Sequence, residues 1–306
     1  MALLSVVIPS FNEEAMLPAA LEAIPASLEE AGIRYELIFV DDGSNDRTWE
    51  CIARGAKEKP EGTIRGVRFS RNFGKEAAIF AGLASAKGDC VAVMDCDLQH
   101  PPKTLIQMYR LWEEGYEVIE GVKRSRGEEN AAHSFAARVF YRIMSTSTGL
   151  DMSKASDFKL LDRKAVEVLL RIPERNAFFR AISSWIGFRT ASVEFDVQKR
   201  AAGESKWTVF SLTKYAVNNI VGFSSAPMKL VMWIGVLTLI FAFLLSAETL
   251  VRYFSGSAVE GFTTVILLLL VLGSLILISL GVIGYYISRI FEEVKGRPRY
   301  IISETL

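Results

Sequence analysis

Cysteine is scarce in this chain, with Cys51, Cys90 and Cys96 alone among 306 residues. That excludes a disulfide framework, and the spacing matches no zinc-ligand pattern, so a reducing compartment is expected. Histidine is scarcer still: His100 belongs to an LQHPP turn and reads as structural, while His133 opens a helix. Neither suggests a triad or a zinc site. Net charge is also missing, since 35 basic side chains face 35 acidic ones. Phosphate backbones are usually met by a cationic excess, so no nucleic-acid partner is expected. The glycine signatures GxGxxG (after the first strand) and GxxxxGK(S/T) are absent, which excludes a phosphate cradled by a glycine-rich helix start. The apolar start MALLSVVIP lacks a basic flank and is interrupted at Pro9, so it is not expected to act as a signal peptide.

What the chain does have is uncharged length. Its mean hydropathy is +0.25 despite 23% charged residues, and the surplus gathers near the C-terminus. No charge interrupts Leu230 to Ala247 or Gly261 to Ser288. Each run can cross a hydrocarbon core of roughly 30 Å, which takes about 20 helical residues. Neither carries the polar stripe of a buried soluble helix. Lys206, Lys214 and Lys229 precede the pair, and Arg289, Lys295, Arg297 and Arg299 follow it. The positive-inside rule then puts both termini and the large N-terminal domain in the cytoplasm of a multi-pass protein. The expected divisions are a cytoplasmic domain over 1–206, an amphipathic segment over 207–228, spans over 229–252 and 262–288, and a cytoplasmic tail over 289–306.

Upstream, apolar strands alternate with helical segments: LLSVVIP, YELIFVDDGS with a helix over Thr48–Lys57, IRGVRFS with a helix from Gly74 to Ala86, then CVAVMDCDL. That alternation predicts an α/β fold with a mostly parallel sheet and helices on both faces. Ligands of such sheets bind beyond the carboxyl ends of the strands. Here those ends carry Asn12 and Glu13, Asp41 and Asp42, and Asp95 and Asp97. Asp95–Cys96–Asp97 sets two carboxylates on alternate residues, a donor set suited to Mg²⁺ or Mn²⁺, which take oxygen ligands and leave positions for substrate phosphate. Such an ion would offset the diphosphate charge that no glycine loop is present to handle. Asp41 reads as a brace for the turn at Gly43, and Asp46 with Thr48 as the start of the next helix.

The stretches VVIPSFNEE, IFVDDGSNDRT, RNFGKEAAIFAGL, MDCDLQHPP, DFKLLDRKA and GESKW, in this order and followed by two spans, resemble the family 2 glycosyltransferases of GT-A fold. The resemblance covers nearly the whole chain and is to the polyprenyl-phosphate branch, which includes dolichyl-phosphate mannose synthases and bacterial undecaprenyl-phosphate glycosyltransferases. It implies an inverting, metal-dependent hexosyltransferase of the bacterial inner membrane. The donor would be a nucleotide-sugar, UDP-hexose being the default of the bacterial relatives, and the acceptor a polyprenyl phosphate. Carried over by position, Pro9, Phe11, Glu13, Val40 and Asp42 would hold the nucleoside. Phe11 stands where the family usually has Tyr, so a hydroxyl contact is lost. Asp95, Cys96 and Asp97 would line the sugar-diphosphate, with Asp95, Asp97 and Gln99 on the metal. Lys123, Arg200 and Lys206 fall at cationic donor contacts of the mannose synthases.

The acceptor side rests on basic residues. Apolar positions over 134–147 recur at helical spacing, with Arg138 and Arg142 projecting together from the other face. Arg124 and Arg126 stand just upstream, beside Lys123. A helix at the membrane surface with these arginines on lipid phosphate is the functional reading, and an ordinary solvated face is the plain one. The segment from Trp207 to Phe223 is amphipathic too, resting in the lipid interface or packing on the catalytic domain. Gly273, Gly281 and Gly284 would permit close helix contact and a homo-oligomer. Asp157 sits where the bacterial relatives carry an acid, and reads as a base or as an acceptor-positioning residue. Two competing readings remain. A polysaccharide synthase is disfavoured by the absence of QxxRW, and a non-catalytic scaffold or nucleotide-sugar sensor by the retained DCD and basic clusters.

Overall fold

A computed structural model describes residues 2–60, 62–124, 145, 156–174, 178–196, 226–255 and 261–306. The chain divides into two compact units, one comprising residues 1–212 together with 297–306, the other residues 213–296.

The first unit is built on an eight-stranded sheet in the order β7-β5-β6-β4-β1-β2-β3-β8. Its strands are β1 (Leu3–Ser10), β2 (Arg34–Asp41), β3 (Ile64–Phe69), β4 (Cys90–Val93), β5 (Val118–Lys123), β6 (Lys159–Asp162), β7 (Thr190–Phe195) and β8 (Ile302–Thr305). The run β3-β2-β1-β4 is parallel, as the alternation predicts. Antiparallel pairing enters where β6 lies between β4 and β5, and again where β8 closes the far edge on β3. The sheet is therefore mixed, with its parallel half carrying the strand ends of interest. The CVAVMDCDL strand stops at Val93, four residues before Asp97.

Helices α1 (Leu17–Glu30), α2 (Thr48–Glu58) and α4 (Pro102–Glu113) associate on one side of the sheet, α1 packing against both others. Helices α3 (Lys75–Ser85) and α5 (Arg163–Arg171) pack together on the sheet, α3 over β1 and β2, α5 over β4 and β6. Strand periodicity explains the layering. Leu4, Val6 and Ile8 of β1 join the core cluster with Leu17, Leu28 and Met108. The intervening Val7 meets Gly82 of α3, where an added Cβ would lie 2.1 Å from Val7 Cγ1. Glycine here lets an apolar helix settle directly on the strand. Short α6 (Phe179–Trp185) completes the unit's described helices.

The segment over 289–306 was read from the sequence as a cytoplasmic tail, with no strand assigned to it. Its last residues form β8, with Val67, Arg68 and Phe69 in register with Thr305, Glu304 and Ile302. Tyr300 stacks on Phe69 at 5.0 Å between ring centroids, and the Arg299 guanidinium lies 4.4 Å from the Phe80 ring and donates to the Ile172 carbonyl.

The second unit holds α7 (Ala226–Phe254) and α8 (Phe262–Val294). Within them Pro227–Arg252 and Leu268–Val294 are long and apolar enough to span a bilayer. Their large apolar side chains, Leu239, Phe243 and Leu277 among them, are exposed on the protein itself, as lipid-facing helices require.

Candidate active site

Three strand ends meet through their loops. After β1, Asn12 turns left-handed at φ 54°, a conformation costly for a non-glycine residue and held only where neighbours fix it. They do so here. The Asn12 amide donates to Ser44 Oγ at 2.9 Å, Asn12 Oδ1 accepts from the Asn45 amide at 2.9 Å, and the Glu13 amide donates to Thr48 Oγ1 at 2.8 Å. The Asn-Glu-Glu turn and the Asp-Asp-Gly-Ser turn are thus one interlocked body. Asp41 is its brace: Oδ1 accepts from the Ser44 amide at 2.9 Å and Oδ2 faces Arg68 Nε at 3.4 Å. Asp46 accepts from the Thr48 amide at 3.0 Å at the start of α2.

Asp42 is buried and accepts from the Phe73 and Gly74 amides at 2.6 and 2.9 Å. Burial pushes its carboxyl up to about 6, against those two hydrogen bonds. The Arg71–Gly74 loop is drawn so close that a Cβ on Gly43, at φ +67°, would lie 2.4 Å from the Arg71 carbonyl carbon. A cleft of about 600 Å³ opens beside these turns, lined by Phe11, Gly43, Ser44, Asn45, the segment from Arg68 to Asn72, Ser303 and Glu304.

The acidic lip follows β4. Leu98 is the second left-handed non-glycine residue, φ 55°, where the chain doubles back so that Asp97 Oδ1 accepts from the Gln99 amide at 3.1 Å. His100 is structural, as expected: Nδ1 accepts from the Asp95 amide at 3.2 Å and the ring stacks on Phe158 at 4.5 Å. Asp95, Asp97 and Gln99 are half-buried, and all three offer oxygen. Among the described residues no three acidic, cysteine or histidine side chains close into a metal cage. An open lip of oxygen donors suits a hard dication that keeps positions for substrate oxygens, so these residues fit Mg²⁺ or Mn²⁺.

Asp157, just before β6, is the centre of an ionic cluster. Arg180 grips it with two hydrogen bonds, Nε to Oδ1 at 2.6 Å and Nη2 to Oδ2 at 2.7 Å. Lys75 Nζ lies 2.9 Å from Asp157 Oδ2 and 2.6 Å from Asp95 Oδ1, tying the two carboxylates together. Burial alone would raise the Asp157 carboxyl, but Lys75 and then Arg180 overcome it and hold it well below the usual carboxylate range. Glu76 moves the other way: burial first, then the Asp157 charge, raise it to about 7 while Oε2 accepts from the Phe179 amide at 2.9 Å. Beneath the cluster, Lys159 is fully buried and donates to Glu120 at 2.6 Å and to Ser183 and Ser184 of α6 at 2.7 and 3.2 Å, fixing the helix that carries Arg180.

Of the remaining sequence candidates, Pro9, Phe11 and Glu13 are half-buried at the end of β1, Phe11 on the cleft. Val40 and Cys96 are buried in the core, so only their backbone is available to a ligand, and burial raises the Cys96 thiol. Lys123 is exposed at the end of β5. Arg124 faces the carboxylates of Glu194 and Asp196 at 3.5 and 3.6 Å. Arg126, Arg138, Arg142, Arg200 and Lys206 lie outside the described residues. Sequence reasoning passed over Lys75, Glu76 and Arg180. One signal was there: a lysine opening a helix opposes the helix dipole, so Lys75 needed a tertiary reason for its place.

An open α/β sheet with paired carboxylates at the lip of its parallel half, beside a cleft formed by neighbouring strand ends, has the architecture of a GT-A transferase. A solved structure with this fold, glucosyl-3-phosphoglycerate synthase from Mycobacterium tuberculosis with Mn²⁺, UDP-glucose and phosphoglyceric acid, superimposes with a TM-score of 0.51 at 21% identity, over 72% of this chain and 78% of that one. The chain belongs to glycosyltransferase family 2, whose domain it matches over residues 5–170. It is 36% identical over 303 residues to the uncharacterized glycosyltransferase YkcC of Bacillus subtilis (strain 168), covering 98% of this chain and 93% of that one. It is 35% identical over 307 residues to the SfII prophage-derived bactoprenol glucosyl transferase of Shigella flexneri, covering 99% and 98%.

Proposed function

We propose that the protein transfers a single hexose, with inversion, from a nucleotide-sugar to a polyprenyl phosphate at the cytoplasmic face of a bacterial inner membrane, UDP-glucose and undecaprenyl phosphate being the favoured pair. The observation that carries this reading is the Asp95–Lys75–Asp157–Arg180 cluster, whose Lys75 follows within three residues the Arg68–Asn72 segment that lines the cleft. It sets cations and acids where a dianionic acceptor and a diphosphate donor would meet. The full-length similarity to a bactoprenol glucosyl transferase supports the lipid acceptor.

In this reading Phe11 and the Gly43–Asn45 turn receive the nucleoside, with Asp42 holding the opposite loop in place. Asp95, Asp97 and Gln99 would hold Mg²⁺ or Mn²⁺, which when bound offsets diphosphate charge. An acceptor phosphate oxygen attacks the anomeric carbon as the bond to the nucleoside diphosphate breaks. A phosphate monoester has its second pKa near about 6 and is largely dianionic at neutral pH, so no base need remove its proton. Asp157, already gripped by two cations, is a poor proton acceptor, and its role is to aim Lys75 and Arg180. Lys123, Arg124, Arg126, Arg138, Arg142, Arg200 and Lys206 supply further cationic contacts to donor or acceptor phosphate.

The orientation proposed from the sequence gains support from β8. This strand follows the two long helices in the chain yet belongs to the sheet that precedes them, so a hairpin that crosses a bilayer must leave and return on one side. Incubating membranes with radiolabelled UDP-glucose and undecaprenyl phosphate should give organic-extractable label that disappears with chelator. Absence of such label with any nucleotide-sugar donor overturns the proposal. In the same assay Asp157→Asn should slow transfer less than Asp97→Asn, and the reverse order would restore Asp157 as the base.

A further inference from the structure

Resting on the donor reading above, we infer that the strand after the membrane hairpin is a working wall of the nucleoside cleft, and that Glu304 is a specificity-determining residue for the donor. The cleft holds two facing surfaces from distant parts of the chain. One is the β1 and β2 turns, with Phe11, Gly43 and Asn45; the other is β3 and its loop, with β8 laid along the open edge. Ser303 and Glu304 of β8 line the cleft directly.

Docking of this strand is specified rather than incidental. The Ser70 amide donates to the Ile301 carbonyl at 3.0 Å, the Leu306 amide to the Gly66 carbonyl at 2.9 Å, and Ser303 Oγ to the Arg68 carbonyl at 3.1 Å. Gly66 leaves room for it, since a Cβ there would lie 3.1 Å from Leu306 Cδ1. The Tyr300 ring on Phe69 anchors the approach.

Charge gives the strand a chemical part. Arg68 lies between Asp41 at 3.4 Å and Glu304 at 3.9 Å. Asp41 is buried, with its other oxygen on the Ser44 amide, whereas the Glu304 side chain is 52% exposed. Glu304 therefore offers the cleft an acceptor for an O–H or N–H donor, the chemistry of a ribose hydroxyl or a base imide. Phe11 lines the same cleft from the end of β1.

The test uses the full-length enzyme in detergent or nanodiscs, with UDP titrated calorimetrically and GDP in parallel. Removing residues 301–306, which leaves the Arg299 and Tyr300 anchors, should weaken nucleotide binding tenfold or more. Glu304→Gln keeps the strand and should weaken it threefold or more, raising KM for the nucleotide-sugar while kcat and the acceptor KM hold. Thermal melting checks that both variants are folded. If Glu304→Gln is folded and binds within twofold of the parent enzyme, the carboxylate has no part in recognition and the inference fails. A parent enzyme that binds neither UDP nor GDP overturns the donor reading and this inference together. One that binds UDP but labels no lipid overturns only the acceptor, and the variant affinities still decide the role of β8.

Discussion

Glu76, next to Lys75, is a carboxyl moved close to neutrality. Its carboxyl sits at about 7, against 4.5 for a free side chain, because burial and the neighbouring Asp157 oppose ionisation. A raised acid pKa means the folded state binds more protons than the unfolded state between those two values, so ionisation destabilises the fold as pH rises through them. Glutamine mimics the protonated form. Glu76→Gln should therefore raise the melting temperature by several degrees at pH 8, and the gain should shrink through the window from 7 to 4.5. Melting curves of both proteins at pH 8 and pH 4.5 test this; an equal gain at both would show that charge is not its origin. Asp157 has the opposite linkage. Its depressed carboxyl contributes stability above its usual range, lost only as pH falls through the folded-state value.

At the scale of elements, β6 and α6 are joined by one buried ion. Lys159 has no exposed surface, and burial lowers its pKa while Glu120 opposes that shift. Removing one member of such a pair strands the other, at about 3–5 kcal/mol, whereas removing both is far milder. Lys159→Met should thus lower the melting temperature by on the order of 10 °C, and Glu120→Leu added to it should recover most of the loss. No recovery in the double variant would mean that Lys159 acts through α6 alone. These elements also mark where sequence legibility ended. Strands β1, β2 and β4 are continuous apolar runs ending in acids, so both the strands and their lip could be read directly. Strand β6 is four residues long, and β8 is four residues with every side chain exposed. Neither has a periodicity of its own, because each exists only through its partner strand. The cluster was half legible for the same reason. Asp95 and Asp157 stood out by motif, but Lys75 and Arg180 become their partners only through the pairing of β4 with β6 and the placement of α6.

For the whole molecule, the sheet sets a topological condition on the hairpin. Ser255 lies between the two long helices and Glu292 near the end of the second, both exposed. In intact cells stripped of outer layers, Ser255→Cys should react with a membrane-impermeant maleimide, and Glu292→Cys only after permeabilisation. Of the native cysteines Cys90 and Cys96 are buried and Cys51 is half-exposed, so both variants are made in a Cys51→Ser background. Reaction at both sites without permeabilisation would exclude a hairpin with a cytoplasmic return. The return has a further consequence, in time rather than space. Ser303 meets Arg68 across a separation of 235 residues, and β8 is synthesised only after both apolar helices. Until then the outer edge of β3 stays unpaired, and an unpaired edge is a template for wrong partners. The sheet is therefore finished last, after both apolar helices have been made. A chain cut short within either helix would leave that edge open, so closure of the sheet reports that synthesis has passed both helices.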